Sequence, residues 1–166
     1  MNKKYYTKAE WDRLFRDILS VYHKCGYGQR QEFADARQKR AFLMNAYREA
    51  SYFAKEYPVS GLSNDLFAAF VAYAGTADSH QKEYSLDFKL FLMALYQSLA
   101  PYFENQTMND EDWCKFVKKA GQINEEYTYF NGSKYVNPPH NLFFYEILII
   151  IMNIFDDRAK EVQKYV

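Results

Sequence analysis

Apolar residues recur at spacings of three and four along most of this chain, and that period belongs to helices. Trp11, Leu14, Phe15, Ile18, Tyr22 and Cys25 form one such stripe. Phe67, Phe70, Val71 and Ala74 form another, Phe88, Phe91, Leu92, Leu95 and Leu99 a third, and Trp113, Phe116, Val117, Ala120 and Ile123 a fourth. A chain patterned this way buries one side of each helix against its neighbours, so the expected class is mainly α. Six glycines and four prolines leave little material for the turns of an all-β fold. Aromatic residues make up 19% of the chain and its formal net charge is zero, the opposite of a disordered composition. At 166 residues the expectation is one domain spanning 1–166, a bundle of about six helices with no linker, repeat or low-complexity tract.

Helix boundaries follow from caps and breakers. Thr7 with Glu10 has the spacing of a capping box and opens a first helix that runs to Gly26. A second periodic segment extends from about Arg30 to Tyr57, where Pro58 forbids continuation. Ser63 reads as the cap of a helix that ends at Gly75, and a fourth helix stops near Pro101. Asn109 with Asp112 starts a fifth. The period then changes: residues 127–136 read Y-T-Y-F, N-G, S-K-Y-V, and Asn131-Gly132 between two β-rich tetrads predicts a small hairpin with a type I′ turn. Asn137-Pro138-Pro139 predicts an extended lead-in to the last helix, about Asn141 to Lys164, whose apolar first half belongs in the middle of the bundle.

Several chemistries lack support. The sequence holds no glycine-rich phosphate loop, dinucleotide fingerprint, nucleophile elbow or zinc spacing, so neither a cofactor nor a metal is expected. His80 and Glu83 lie at i,i+3 but lack the second pair of a di-iron bundle, and read as surface residues. Glu146, Asn153, Asp157 and Lys164 share a side of the last helix that reads as its solvent side. Cys25 and Cys114 fall among apolar positions and read as small buried thiols, which fits a reducing, cytoplasmic setting. The polar segment Met1 to Thr7 has no secretory apolar region. The longest apolar run, Leu142 to Phe155, is fourteen residues against the ~20 that span a bilayer, so no membrane partner is expected. Arg16 and His23 form an R-x6-H pair that resembles the minimal pattern of the all-helical HEPN ribonucleases, which implies cleavage of RNA by general acid–base chemistry. The intervening residues add no further match, and Asp12 stands one turn before Arg16 as an ordinary partner, so the pair is expected to be dispensable.

Overall neutrality conceals an asymmetry. Residues 1–56 hold 12 Lys plus Arg and 7 Asp plus Glu, whereas residues 57–166 hold 9 and 14. On a helical wheel Arg30, Arg37, Arg48 and Lys55 fall within about 20° of one another, with Arg40 beside them, opposite Phe42, Leu43, Ala46, Ala50 and Phe53. The positions three and four from Arg37, Arg48 and Lys55 hold no acid; Asp35, Glu49 and Glu56 lie on one flank. A guanidinium matches phosphate or carboxylate in a bidentate fork, so the natural complement of this ridge is anionic. The expected function is a non-enzymatic binding protein whose basic helix meets an anionic macromolecule, nucleic acid first and an acidic protein surface next. Tyr52 and the hairpin residues Tyr129, Lys134 and Tyr135 serve as stacking or anchoring groups. Three alternatives stand beside it. One is a protein-interaction module of inhibitor or immunity type, and another is the HEPN-like ribonuclease of Arg16 and His23. The third keeps the ridge internal, paired with Asp110, Glu111, Asp112, Glu125 and Glu126 within the chain or across a homodimer.

Overall fold

The computed structural model describes residues 7–27, 33–57, 62–75, 84–102, 109–131, 134–135 and 138–163. These residues are helical nearly throughout: α1 (Lys8–Lys24), α2 (Ala36–Ala50), α3 (Tyr52–Glu56), α4 (Leu62–Ala74), α5 (Tyr84–Leu99), α6 (Asp110–Asn124) and α7 (Pro138–Gln163). All but the five-residue α3 are thirteen residues or longer, so the described chain is a helical bundle of the expected class. Among the described residues no helix is long and apolar enough to cross a membrane.

The ends of α1 show why the sequence folds as it does. Thr7 Oγ1 accepts the Glu10 amide at 3.3 Å, satisfying one donor of the open first turn. At the other end Gly26 adopts φ 83°, a left-handed conformation that glycine takes without a Cβ clash. The Gly26 amide then bonds the His23 carbonyl and the Tyr27 amide the Tyr22 carbonyl, which is a Schellman motif. Its hydrophobic contact is present too, as the Tyr22 and Tyr27 rings meet edge to face at 5.5 Å. This turn sends Tyr27 into the core, where its hydroxyl donates to the Phe70 carbonyl of α4.

Several boundaries differ from the expectation. Ser63, expected as a cap, lies inside the first turn of α4, which starts at Leu62. The helix expected from about Arg30 starts at Ala36, because Asp35 caps it: Asp35 Oδ1 accepts the Gln38 amide at 3.0 Å while Gln38 Oε1 accepts the Ala34 amide at 2.9 Å. It also breaks at Ser51, whose hydroxyl donates to the Arg48 carbonyl at 2.6 Å and competes with the backbone ladder. The single expected helix is therefore two pieces, α2 and α3, and Tyr57 before Pro58 leaves helical geometry as expected. At α6, Asn109 and Asp112 form the reciprocal capping box that their spacing implied.

The hairpin expected over 127–136 is not supported in that form. Glu125–Tyr129 continue α6 as a π-helical turn, which places the half-buried Tyr127 ring against Phe91 at 6.1 Å. Only Phe130–Asn131 and Lys134–Tyr135 pair, antiparallel, and Gly132 of the expected turn lies outside the described residues. Four alternating residues are too few to resist an existing helix, which gains a hydrogen bond per added residue, whereas an isolated two-stranded hairpin is marginal in water. Likewise Pro138 and Pro139 begin α7 itself, since the first turn of a helix has no intrahelical partner for the missing N–H.

The aromatic surplus of the composition is spent in the core. Phe143 of α7 stacks on Tyr73 of α4 at 4.2 Å and meets Phe70 edge-on at 5.2 Å. It also touches Phe88 of α5 at 5.3 Å, while Phe88 stacks on Tyr22 of α1 at 4.1 Å. One ring thus ties α4 and α5 to α7. The buried side of α7 continues through Phe144, Ile147, Leu148 and Ile151, so its first half is central as expected.

The two thiols part company. Cys25 is buried, and burial pushes it up to about 12, so almost no thiolate exists at neutral pH. Cys114, expected to be buried, is exposed on α6, because the buried side of that helix is filled by Phe116, Ala120 and Ile123. A thiol-specific disulfide reagent should therefore titrate one group promptly in the native protein and a second only in denaturant. Two prompt thiols would contradict the burial of Cys25.

Candidate functional site

The basic face lies on α2. That helix packs mainly on α4, with smaller contacts to α1 and α3, and directs Ala46 and Ala50 inward together with Phe53 of α3. Small residues on this side allow the close approach to α4, and Tyr47 rests edge-on against Phe67 at 5.0 Å. Arg37, Arg40 and Arg48 are exposed on the opposite side, and Lys55 is exposed on α3 beyond the break at Ser51. Arg30, counted in the same ridge, lies outside the described residues.

Arg37, Arg40 and Lys55 have no ion-pair partner among the described residues, whereas Arg48 is held on two sides. It donates to Asn45 Oδ1 at 2.6 Å and lies 3.6 Å from Glu49 Oε1. Glu49 therefore partly screens a residue read as unpaired; the i,i+1 contact escapes a search at three and four. An exposed pair of this kind contributes little, about 0 to 1 kcal/mol. Asn45 in turn donates to the Lys24 carbonyl at 3.0 Å, so Arg48 is braced through Asn45 on the C-terminus of α1.

Arg37 also runs against the helix dipole. It stands in the first turn of α2, which contains no acid and where a cation costs about 0.3 to 1 kcal/mol, whereas Arg48 in the last turn is favoured. No acid of α6 pairs with the α2 arginines among the described residues. Glu111 pairs with Lys115 at 2.8 Å on its own helix, and Asp112 serves the cap.

Tyr52 is not a free stacking group. Its ring is half-buried, its hydroxyl donates to Asp17 Oδ2 at 3.0 Å, and Arg13 approaches that hydroxyl at 3.5 Å. The same carboxylate accepts Tyr57 at 2.5 Å, Arg13 pairs with Glu56 at 2.7 Å, and its guanidinium sits 5.3 Å above the Tyr57 ring. Burial and the Asp17 carboxylate both push the Tyr57 hydroxyl up, which keeps it a donor. This cluster fastens α3 to α1. The side chains of Tyr129, Lys134 and Tyr135 lie outside what the structure describes.

What the wheel reading passed over is apolar. Met44 is 67% exposed and Tyr47 is 59% exposed, and with Arg37, Arg40 and Arg48 they occupy an arc of about 100° on α2. The face is thus three guanidiniums around a thioether and an aromatic ring, the residue types enriched in binding surfaces.

No protein family, characterised protein or solved structure matches this chain.

The remaining candidates are weaker as chemistry. Arg16 donates to the backbone carbonyl of Asp12 at 3.4 Å in place of the side-chain pair expected there, because that carboxylate is taken by Lys8 and the Tyr96 hydroxyl. His23 is exposed two turns further along α1, about 10 Å of axial rise away. His80 and Glu83 lie outside the described residues, and so does Lys164. Glu146 and Asn153 are exposed, as the solvent-side reading of α7 requires.

Proposed function

We propose that this protein binds an anionic macromolecule, nucleic acid first, on the α2 face formed by Arg37, Arg40 and Arg48 with Lys55 of α3. The observation that carries the reading is the exposure of these arginines on one side of a helix with no acid from another helix among the described residues. Forked donors take phosphate oxygens in pairs, and the positive end of α2 adds to the attraction. Tyr47, beside Arg40 at the edge of the arginine arc, replaces Tyr52 as the ring available to stack on a base. An acidic protein surface is the second reading, favoured by Met44, an apolar side chain that a phosphate backbone does not use and a protein partner does. Cytoplasmic location and a non-enzymatic role belong to the same proposal.

Salt dependence separates the two readings. Each neutralised phosphate contributes about −0.9 to the slope of log K against log salt on duplex DNA and about −0.7 on single strands, so four contacts give roughly −3 to −4. A slope near that value on an oligonucleotide is expected. A flat response, or no binding at low salt, would move the face to a protein partner.

A further inference from the structure

We propose that the groove between α1 and α5 is a second docking site, built for an acidic amphipathic helix of a partner protein. It has a volume of about 580 Å3, and its floor is apolar: Phe15 and Leu19 from α1, Leu92 and Met93 from α5. Each wall adds one exposed cation, Arg16 on α1 and Lys89 on α5. The single carboxylate there, Asp12, does not neutralise them, because it accepts the Tyr96 hydroxyl and lies 3.8 Å from Lys8. Arg16 spends one donor on the Asp12 carbonyl, and its remaining donors and the Lys89 ammonium have no side-chain partner among the described residues.

Apolar surface continues outside the groove. Met93 is 47% exposed and Leu90, one turn earlier on α5, is 42% exposed. Lys89 to Gln97 covers nine residues, about 12 Å of α5, or a little over two turns. A helix laid alongside would seat apolar side chains at i, i+4 and i+7 and set carboxylates against Arg16 and Lys89. An oligonucleotide fits this surface poorly, since phosphates would lie over Phe15, Leu19 and Met93 without hydrogen-bond partners. The site is independent of α2: Asp12, Arg16 and Leu19 occupy one flank of α1, and Arg13 and Asp17, which face α3, occupy the other.

A displayed library of short helices with leucine fixed at i, i+4 and i+7 and all other positions randomised tests this on the folded chain. Selection should enrich Glu and Asp beside the fixed leucines. A selected peptide should bind about tenfold more weakly to Arg16→Glu/Lys89→Glu and to Met93→Glu, and equally well to Arg37→Glu/Arg48→Glu. The milder Arg16→Gln/Lys89→Gln pair should show the same loss at smaller size, which separates lost attraction from misfolding. Absence of acidic enrichment, binding unaffected by the groove variants, or binding lost in the α2 variant would each overturn the proposal. So would an oligonucleotide whose binding depends on Arg16 and Lys89 in place of Arg37 and Arg48.

Discussion

Replacing Phe143 with alanine is expected to destabilise the chain by about 3 to 5 kcal/mol, the usual cost of deleting a buried aromatic ring that its surroundings cannot refill. Phe143 is 2% exposed and its ring lies among Tyr73, Phe70 and Phe88, so the lost contacts come from α4 and α5 as well as α7. These neighbours are large and planar and are held by other rings, Phe70 and Tyr73 by Tyr27 and Phe88 by Tyr22, which restricts their collapse into the space. For a chain of this length the loss corresponds to a fall in thermal midpoint of roughly 6 to 20 °C. Phe143→Leu fills part of the cavity and should fall between the variant and the parent. An alanine variant that melts within about 2 °C of the parent would show that α7 is not packed at the centre of the bundle.

Local chemistry made much of the fold legible before any coordinates. Thr7, Gly26 and the Asn109–Asp112 pair act on backbone groups within a few residues of themselves, and their consequences appear where expected. Asp35 with Gln38 carries the same kind of signal, and reading it would have started α2 at Ala36. The break at Ser51 is less legible, because a serine hydroxyl inside a helix can point to solvent or bond the backbone of the preceding turn, and periodicity does not distinguish the two. The hairpin reading went astray at Tyr127–Tyr129, where four alternating residues were set against a helix already in progress.

The site divides along the same line. The exposure of Arg37, Arg40 and Arg48 follows from helical periodicity alone, and the same wheel would have delivered Met44 and Tyr47 had apolar residues been sought among the arginines. Tyr52 was beyond reach, since its partner Asp17 is 35 residues away on another helix. The α1–α5 groove was equally hidden: the contact between Tyr96 and Asp12 spans 84 residues, and it is this bond that leaves Arg16 without the carboxylate its spacing promised.

Changing Arg37 and Arg48 together to glutamate should have the largest effect on binding of any surface substitution here. On the proposed nucleic-acid reading each change replaces attraction to a phosphate with repulsion, and the pair removes two of the three guanidiniums on the α2 face. A loss of affinity of about a hundredfold or more is expected. Stability should scarcely respond. Both side chains are exposed, Arg37 has no ion-pair partner among the described residues, and the Arg48–Glu49 contact is a weak surface pair. The glutamate at position 37 should even favour the first turn of α2 through the dipole. The most direct measurement is therefore oligonucleotide affinity and thermal midpoint on the same double variant at one low salt concentration. Binding nearly abolished with the midpoint within about 2 °C of the parent is the result expected of an external binding face. Unchanged affinity with a clear drop in the midpoint would contradict it and show the arginines to be part of a structural ion-pair surface.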